Sequence, residues 1–255
     1  MATSESIDFA TTALDYERFR QLAKNPNLSP EEKIAFPSQY RVGYEDMIFA
    51  EILGNLLTLK EPNKTWVDIG CGCGGVTDRV KKFAAQENHN LVLVDSKEML
   101  DLNQDQEGMI KIAGKYPEIA QDVFAATGAK GADAILCYSV LHYVYVDTNL
   151  FAFLDHLIDL LAPRGAALIG DIPNVSKRKR FFSSEAGIAF HKAFQNTDEP
   201  PRVEHLVTEH DNIDDAVLAG LVRRAQAAGC NAYIVPQNDA LPMANRRDDL
   251  LIRRP

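Results

Sequence analysis

The sequence predicts an α/β fold, a doubly wound and mostly parallel sheet of seven strands. Three observations point there. Trp66-Val67-Asp68-Ile69 is an apolar run too short and too β-rich for a helix, and Gly70, Gly72, Gly74 and Gly75 follow it at once. Behind the glycines, Val76, Val80 and Phe83 share one face of a helical stretch. Further along, apolar strand-like runs keep alternating with helical ones, the order that builds one sheet between helices.

A strand, a glycine turn and a helix in that order put bare backbone amides at a helix N-terminus. Glycine lets the backbone approach closely and adopt φ > 0, so anionic or polar ligand groups are received there. The plainer alternative is a tight turn without a ligand, which four glycines within six residues disfavour. Gly70, Gly72 and Gly75 also satisfy the dinucleotide pattern GxGxxG. Two features tilt the loop elsewhere: Asp68 stands two residues before the first glycine, and the stretch reads D-I-G-C-G-C-G. It resembles the first motif of the class I S-adenosylmethionine-dependent methyltransferases, where an acid precedes a GxGxG loop that cradles the methionyl and ribose parts of the cofactor. That resemblance implies S-adenosyl-L-methionine as cofactor, with Asp68, Gly70, Cys71 and Gly72 around it.

Residues 1–65 read as helices and connections, an N-terminal helical cap before a methyltransferase domain at 66–255. Ser29-Pro30-Glu31-Glu32 has the form of an N-cap, a proline at the first helical position and acids in the first turn. From Tyr44 to Leu59 the residues Met47, Ile48, Leu53, Leu56 and Leu57 form a helical stripe, ended by Glu61-Pro62-Asn63. Members of the resembled family often pack such helices over the cofactor. This makes Tyr40 and Arg41 candidates for its carboxylate, or else an ordinary surface pair.

Leu91-Val92-Leu93-Val94-Asp95 is a second strand ending in an acid. Its distance from Gly75 suits a carboxylate that reaches the two ribose hydroxyls, both of which one carboxylate can accept from. NAD enzymes use the same device, so Asp95 supports a nucleoside without choosing it. In methyltransferases the next residues, here Ser96 and Lys97, commonly border the adenine. Met109 to Gly114 reads as a third strand, where many members carry an acid for the adenine amino group. This chain has Ala113-Gly114 instead, which leaves backbone groups for the task; Asp122, the nearest acid, falls on the following helix.

Ala132 to Ser139 reads as a fourth strand, with Val140-Leu141-His142-Tyr143-Val144 behind it. The stretch resembles the family's F-D-x-V-x-x-x-x-x-L-H-H-V pattern, and Ser139 at the strand end joins the cofactor candidates. Leu150 to Leu161 is an amphipathic helix stopped by Ala162-Pro163-Arg164-Gly165, and Ala166 to Asp171 is a fifth strand. L-L-A-P-R-G-A-A-L-I matches the methyltransferase pattern L-L-x-P-G-G-x-L-x-I. Residues 172–211 form an insertion with a helix around Glu185–Phe194. A longer helix from about Ile213 to Ala228 is begun by Asp211 and ended by Gly229. Ala232 to Pro236 and Leu250 to Ile252 complete the count, and the family ends in such a pair, a C-terminal hairpin with an antiparallel last strand.

His142 and Asp171 fall at the ends of strands four and five, where an acceptor would stand, and are the catalytic candidates. His142 has a plainer role open to it, packing on the cofactor or capping the next helix. Lys177-Arg178-Lys179-Arg180 is either a solvated turn or, on an acceptor-side lid, a clamp for an anionic acceptor. His205-Leu-Val-Thr-Glu209-His210 has one residue too many for a zinc-hydrolase helix, and Cys71 and Cys73 lack a second ligand pair, so no metal site is expected.

The net charge of −9 argues against a general nucleic-acid binder, which needs a basic surface. No basic stretch followed by an apolar run begins the chain, and no apolar stretch has bilayer-spanning length. Four cysteines make no disulfide framework at 255 residues, so a cytoplasmic location is expected, and the methyltransferase resemblance implies a small-molecule acceptor as partner. The leading expectation is methyl transfer to an oxygen or nitrogen of a small polar metabolite, possibly anionic. NAD-dependent oxidoreduction and a non-catalytic cofactor-binding role are the alternatives.

Overall fold

The computed structural model describes residues 14–36, 41–207 and 209–255. Its seven strands are β1 (Thr65–Ile69), β2 (Asn90–Asp95), β3 (Met109–Ala113), β4 (Ala132–Tyr138), β5 (Leu161–Pro173), β6 (Asn231–Pro236) and β7 (Arg247–Arg253). They form one sheet in the order β3-β2-β1-β4-β5-β7-β6. The first five are parallel, while β7 runs antiparallel to both β5 and β6. The strand order reverses between β1 and β4, the switch point outside which open α/β sheets take ligands. The glycine loop leaves the sheet at that point.

Alternation along the strands sends residues to two covered faces. Val67, Val92, Val94, Ile135 and Ile169 join one buried cluster with Phe153, Leu154 and Leu157 of α8 (Leu150–Leu160) and Leu218 and Leu221 of α11 (Asp215–Ala227). Trp66, Leu91, Leu93, Leu136 and Leu168 join the other, with Val80 and Ala84 of α4 (Gly75–Gln86) and Ile48 and Ile52 of α3 (Glu45–Asn55). The predicted stripe of the N-terminal region therefore packs on the sheet itself. Its last member, Leu57, lies in a 3-10 turn and is exposed. No helix among the described residues is long and apolar enough to cross a membrane.

Two predicted boundaries move. The turn at Ala162–Gly165 lies inside β5 as a bulge, with Arg164 at φ 65° and the register to β4 shifting between Ala132 and Ala134. Ala162, Ala166 and Ala167 are buried on either side of it, so the sheet keeps the strand while Pro163 and Arg164 bow outward. The helix expected to begin at Asp211 is capped by Asp214, whose carboxylate accepts from the Val217 amide at 2.9 Å. Ser29 makes the full capping box on α2 (Pro30–Lys33), as its sequence implied.

Candidate active site

The glycine loop is fixed from three sides. Gly70 N–H donates to Val94 O at 2.8 Å and Gly72 N–H to Asp95 Oδ2 at 2.9 Å. Asn103 Nδ2 donates to Gly72 O at 2.9 Å, and the Thr77 hydroxyl, one turn into α4, donates to Cys71 O. Gly70 and Gly72 sit at φ 71° and 65°, and a Cβ on them would meet Val140 at 2.5 Å and Ile34 at 2.9 Å. Backbone at these two places is needed both for its conformation and for its lack of bulk.

The loop floors a cleft of about 1230 Å³, its open mouth included. Among the predicted residues, Arg41, Asp68, Gly70, Cys71, Gly72, Asp95, Gly114 and Ser139 line it together. Ser96 does not: its hydroxyl caps α5 (Lys97–Leu100) by accepting from Met99 N–H at 3.2 Å. Ala113 is exposed outside the cleft, and Tyr40 lies outside the described residues. The sequence reading missed the roof. Tyr16 and Phe19 of α1 (Tyr16–Lys24) line the cleft from above, and Phe19 meets Tyr143 edge-on at 4.9 Å. Arg20 holds α1 down through a two-armed contact with Glu98 at 2.9 and 2.8 Å. An aromatic pair at i and i+3 ahead of the glycine loop was the available signal.

Two acids lie under the loop, Asp68 buried and Asp95 half-buried. Asp95 accepts from the amides of Gly72 and Ser96 at 2.9 and 2.6 Å, which leaves lone pairs for further donors. Burial nevertheless pushes its carboxyl upward. Asp68 is buried, and no described residue donates to its carboxylate. Burial, with the Asp95 charge added, raises it to about 8. An orphaned buried acid beside a cradle that a Cβ would fill is what a donor-bearing, partly cationic ligand such as an amino-acid group fits. The thiols of Cys71 and Cys73 are held protonated, the first well above its ordinary value and the second at about 11, so neither supplies a thiolate.

The second half of the site stands at the ends of β4 and β5. Ser139 and Asp171 both adopt left-handed backbone, at φ 60° and 58°. Such strain in non-glycine residues gathers at functional sites. The Ser139 hydroxyl donates to Asp171 and accepts from Arg41 Nη2 at 2.7 Å. Asp171 also binds Arg247, whose Nη1 reaches its Oδ2 at 2.8 Å and its carbonyl at 2.9 Å. Asp249 holds the Asp171 N–H at 2.8 Å, and burial lifts its own carboxyl to about 7. His142, on α7 (Leu141–Asp147), lies against Tyr143 with ring centroids 3.9 Å apart, and its Nδ1 is buried without a partner. Burial first, then the Arg247 charge, lowers it to about 3, so its ring is neutral at physiological pH.

The basic run forms α9 (Val175–Phe182), and it presents no free clamp. Arg178 pairs with Glu209 at 2.7 Å, Lys177 with Asp248 at 2.8 Å, Lys179 with Val207 O at 2.7 Å, and Arg180 with Asp215 at 2.5 Å. Three acids distant in sequence converge on this helix; Asp248 ties it to β7 of the sheet and Asp215 to α11. Phe181 and Phe182 pack on Phe190 of α10 (Glu185–Gln195), closing the insertion on itself.

The sequence profile described as "Methyltransferase domain" matches residues 67–167. The plantazolicin methyltransferase BpumL, solved with a triazolic desmethylPZN analogue and S-adenosylhomocysteine, is similar at 14% identity over 94% of this chain and 99% of that one, with a TM-score of 0.56. The N-methyltransferase NodS from Bradyrhizobium japonicum WM9, solved with S-adenosylhomocysteine, is similar at 14% identity over 94% and 98%, with a TM-score of 0.52. No curated protein matches the sequence. The strand order, the loop and the matched domain define a class I methyltransferase fold. The methyltransferase-domain match spans residues 67–167, and the solved methyltransferases share this chain's fold.

The raised acids make stability depend on pH with a fixed sign. Folded values of about 8 for Asp68 and about 7 for Asp249 lie above those of a free carboxyl, so folding favours the protonated forms. Their contribution is complete below about pH 4 and is lost as pH rises through 7 and 8. The unliganded protein is expected to lose thermal stability between pH 5 and about 9, and Asp68→Asn to flatten that fall. Melting curves over this range check it; a native protein growing steadily more stable to pH 9 refutes the assignment.

Proposed function

We propose that the chain transfers a methyl group from S-adenosylmethionine to an oxygen or nitrogen of a small polar metabolite. Residues 1–65 serve as the cap, 66–255 as the methyltransferase domain and 172–211 as its acceptor-side insertion. The observation that carries this reading is the Ser139–Asp171–Arg41 cluster, set where the cofactor cleft meets the ends of β4 and β5. When bound, the cofactor supplies an electrophilic sulfonium methyl, so the protein's task is to position and desolvate the nucleophile.

Each residue then has a distinct task. Asp68 and the amides of the loop receive the amino-acid end of the cofactor, and Asp95 accepts from the ribose hydroxyls. Arg41 is buried with its Nε unpartnered and faces the cleft, which suits the cofactor carboxylate. Gly114 and its backbone border the adenine in place of the missing acid. His142, neutral and with a free Nδ1, accepts one hydrogen from the nucleophile and orients its lone pair. At about 3 its conjugate acid is too strong for His142 to hold the released proton at neutral pH, so the proton passes on to solvent. Asp171 holds Ser139 and both guanidiniums in place.

Isothermal titration with S-adenosylmethionine, S-adenosylhomocysteine and NAD tests the cofactor, and labelled methyl transfer to a metabolite extract tests turnover. Saturable NAD binding with none for either sulfur nucleoside would end this proposal. Asp95→Ala is expected to weaken S-adenosylhomocysteine by about 1–3 kcal/mol, the cost of leaving buried hydroxyls unpaired. An unchanged dissociation constant moves the acid off the ribose.

A further inference from the structure

Arg41 and Arg247 are both nearly sealed from solvent, their side chains 7% and 12% exposed. They share one carboxylate, Asp171, at 3.7 and 2.8 Å. Their guanidiniums also share the Phe36 ring, with centroid distances of 4.0 and 5.5 Å. Among the described residues, two buried cations against one anion leave an excess positive charge in the unliganded protein. The cofactor carboxylate assigned to Arg41 would offset it, so it is the free edge of Arg247 that points to a second anion. The neighbouring groups do not cancel that charge. His142 is driven neutral, Asp249 is lifted toward neutrality, and Glu51 is pushed up by burial. Asp248 is already taken by Lys177 and the Asn174 amide, at 2.8 Å each.

The two arginines differ in what they have left to offer. Arg41 faces the cofactor cleft. Arg247 does not line it, and stands instead at the first residue of β7, opposite Pro173, where β5 runs out toward the insertion. Its Nη1 makes both bonds to Asp171. No described residue accepts from its Nε or Nη2, and neither atom is sealed from solvent. That edge of a guanidinium is the fork that binds a carboxylate or phosphate through two parallel hydrogen bonds. Asp171 fixes the opposite edge, so the fork is pre-oriented.

We infer that Arg247 recognises an anionic group, a carboxylate or a phosphate, on the methyl acceptor. This rests on the methyltransferase reading and moves the anion contact from the basic helix α9, whose cations are all engaged, to the strand ends. The acceptor is thereby held by its anionic end at Arg247, with its nucleophile directed toward His142 and the cleft.

His142 is the reporter, since Arg247 and Asp171 are the charges that act on its ring. Titration of S-adenosylhomocysteine by calorimetry first establishes that the cofactor site fills; failure there sinks the methyltransferase reading itself. The loaded protein is then titrated with acetate, inorganic phosphate and neutral acetamide at constant ionic strength. The His142 ring signals, assigned by comparison with His142→Gln, are followed by NMR. Acetate or phosphate is expected to move them saturably, and acetamide not at all. Arg247→Gln is expected to weaken that response by about tenfold or more while leaving S-adenosylhomocysteine affinity within about twofold. Arg247→Lys, a point charge without the fork, is expected to fall between. The inference is overturned by a native protein that ignores both anions or answers acetamide equally, a result that needs no variant to fold. An equal response in Arg247→Gln, or loss of cofactor affinity in its place, overturns it too.

Discussion

Gly70→Ala is expected to weaken cofactor binding by at least about tenfold and to cost the fold about 2–5 kcal/mol. Two terms add. The residue sits at φ 71°, where an L side chain costs about 1–2 kcal/mol. Its new Cβ would lie 2.5 Å from Val140 Cγ2, and forcing an extra methyl into a packed place costs about 1–3 kcal/mol more. Val140 has little room to retreat, since it packs against the buried cluster on that face of the sheet. The backbone would move instead, and the Gly70 bond to Val94 O and the Gly72 bond to Asp95 would go with it. Melting should fall by roughly 4–20 °C, at about 2–4 °C per kcal/mol for a chain of this size. S-adenosylhomocysteine should bind at least about tenfold more weakly, the effect of 1.4 kcal/mol or more. A variant that keeps both its melting temperature and its ligand affinity would show the loop to be adaptable and the glycine incidental.

The parts of the molecule legible in the sequence are those whose cause is local. β1, the glycine loop and α4 lie within one short stretch, and period, turn residues and helix face all point the same way there. Asp68, Gly70, Gly72 and Asp95 follow from that unit and the next strand, and all four line one cleft. The misplaced start of α11 shows the limit. Asp211, Asp214 and Asp215 are equally good caps on propensity, and the choice falls to tertiary contacts. Val175 N–H donates to Ile213 O at 2.8 Å, and Asn174 Nδ2 to Asp215 at 2.8 Å. Arg247 was illegible for a similar reason. Its partner Asp171 is 76 positions away, and only the antiparallel register of β7 on β5 brings them together. The pairing of the basic run was equally illegible, because its acids Glu209 and Asp215 are 31 and 35 positions distant.

Asp171→Ala is expected to be the most damaging substitution at the ends of β4 and β5. Among the described residues the carboxylate is the one anion paired with both buried guanidiniums, and its own side chain is 9% exposed. Removing one partner from such a set leaves uncompensated buried charge, at a cost of about 3–5 kcal/mol. Alanine also tolerates the φ of 58° less well than aspartate does. Ser139 would lose its acceptor, Arg41 and Arg247 would repel one another, and methyl transfer should stop even where the fold survives. Asp171→Asn separates shape from charge. It keeps a side-chain oxygen for Ser139 and tolerates the same backbone, but it leaves the guanidiniums unneutralised. It should therefore melt between native protein and Asp171→Ala. Asp171→Gly with added formate provides the complement, since the glycine relieves the backbone and the small carboxylate fits the vacated place. Formate should raise its melting temperature more than chloride does at equal ionic strength. A melting temperature for Asp171→Ala within about 1 kcal/mol of native, read through the same size scaling, would mean that the two arginines are compensated without it.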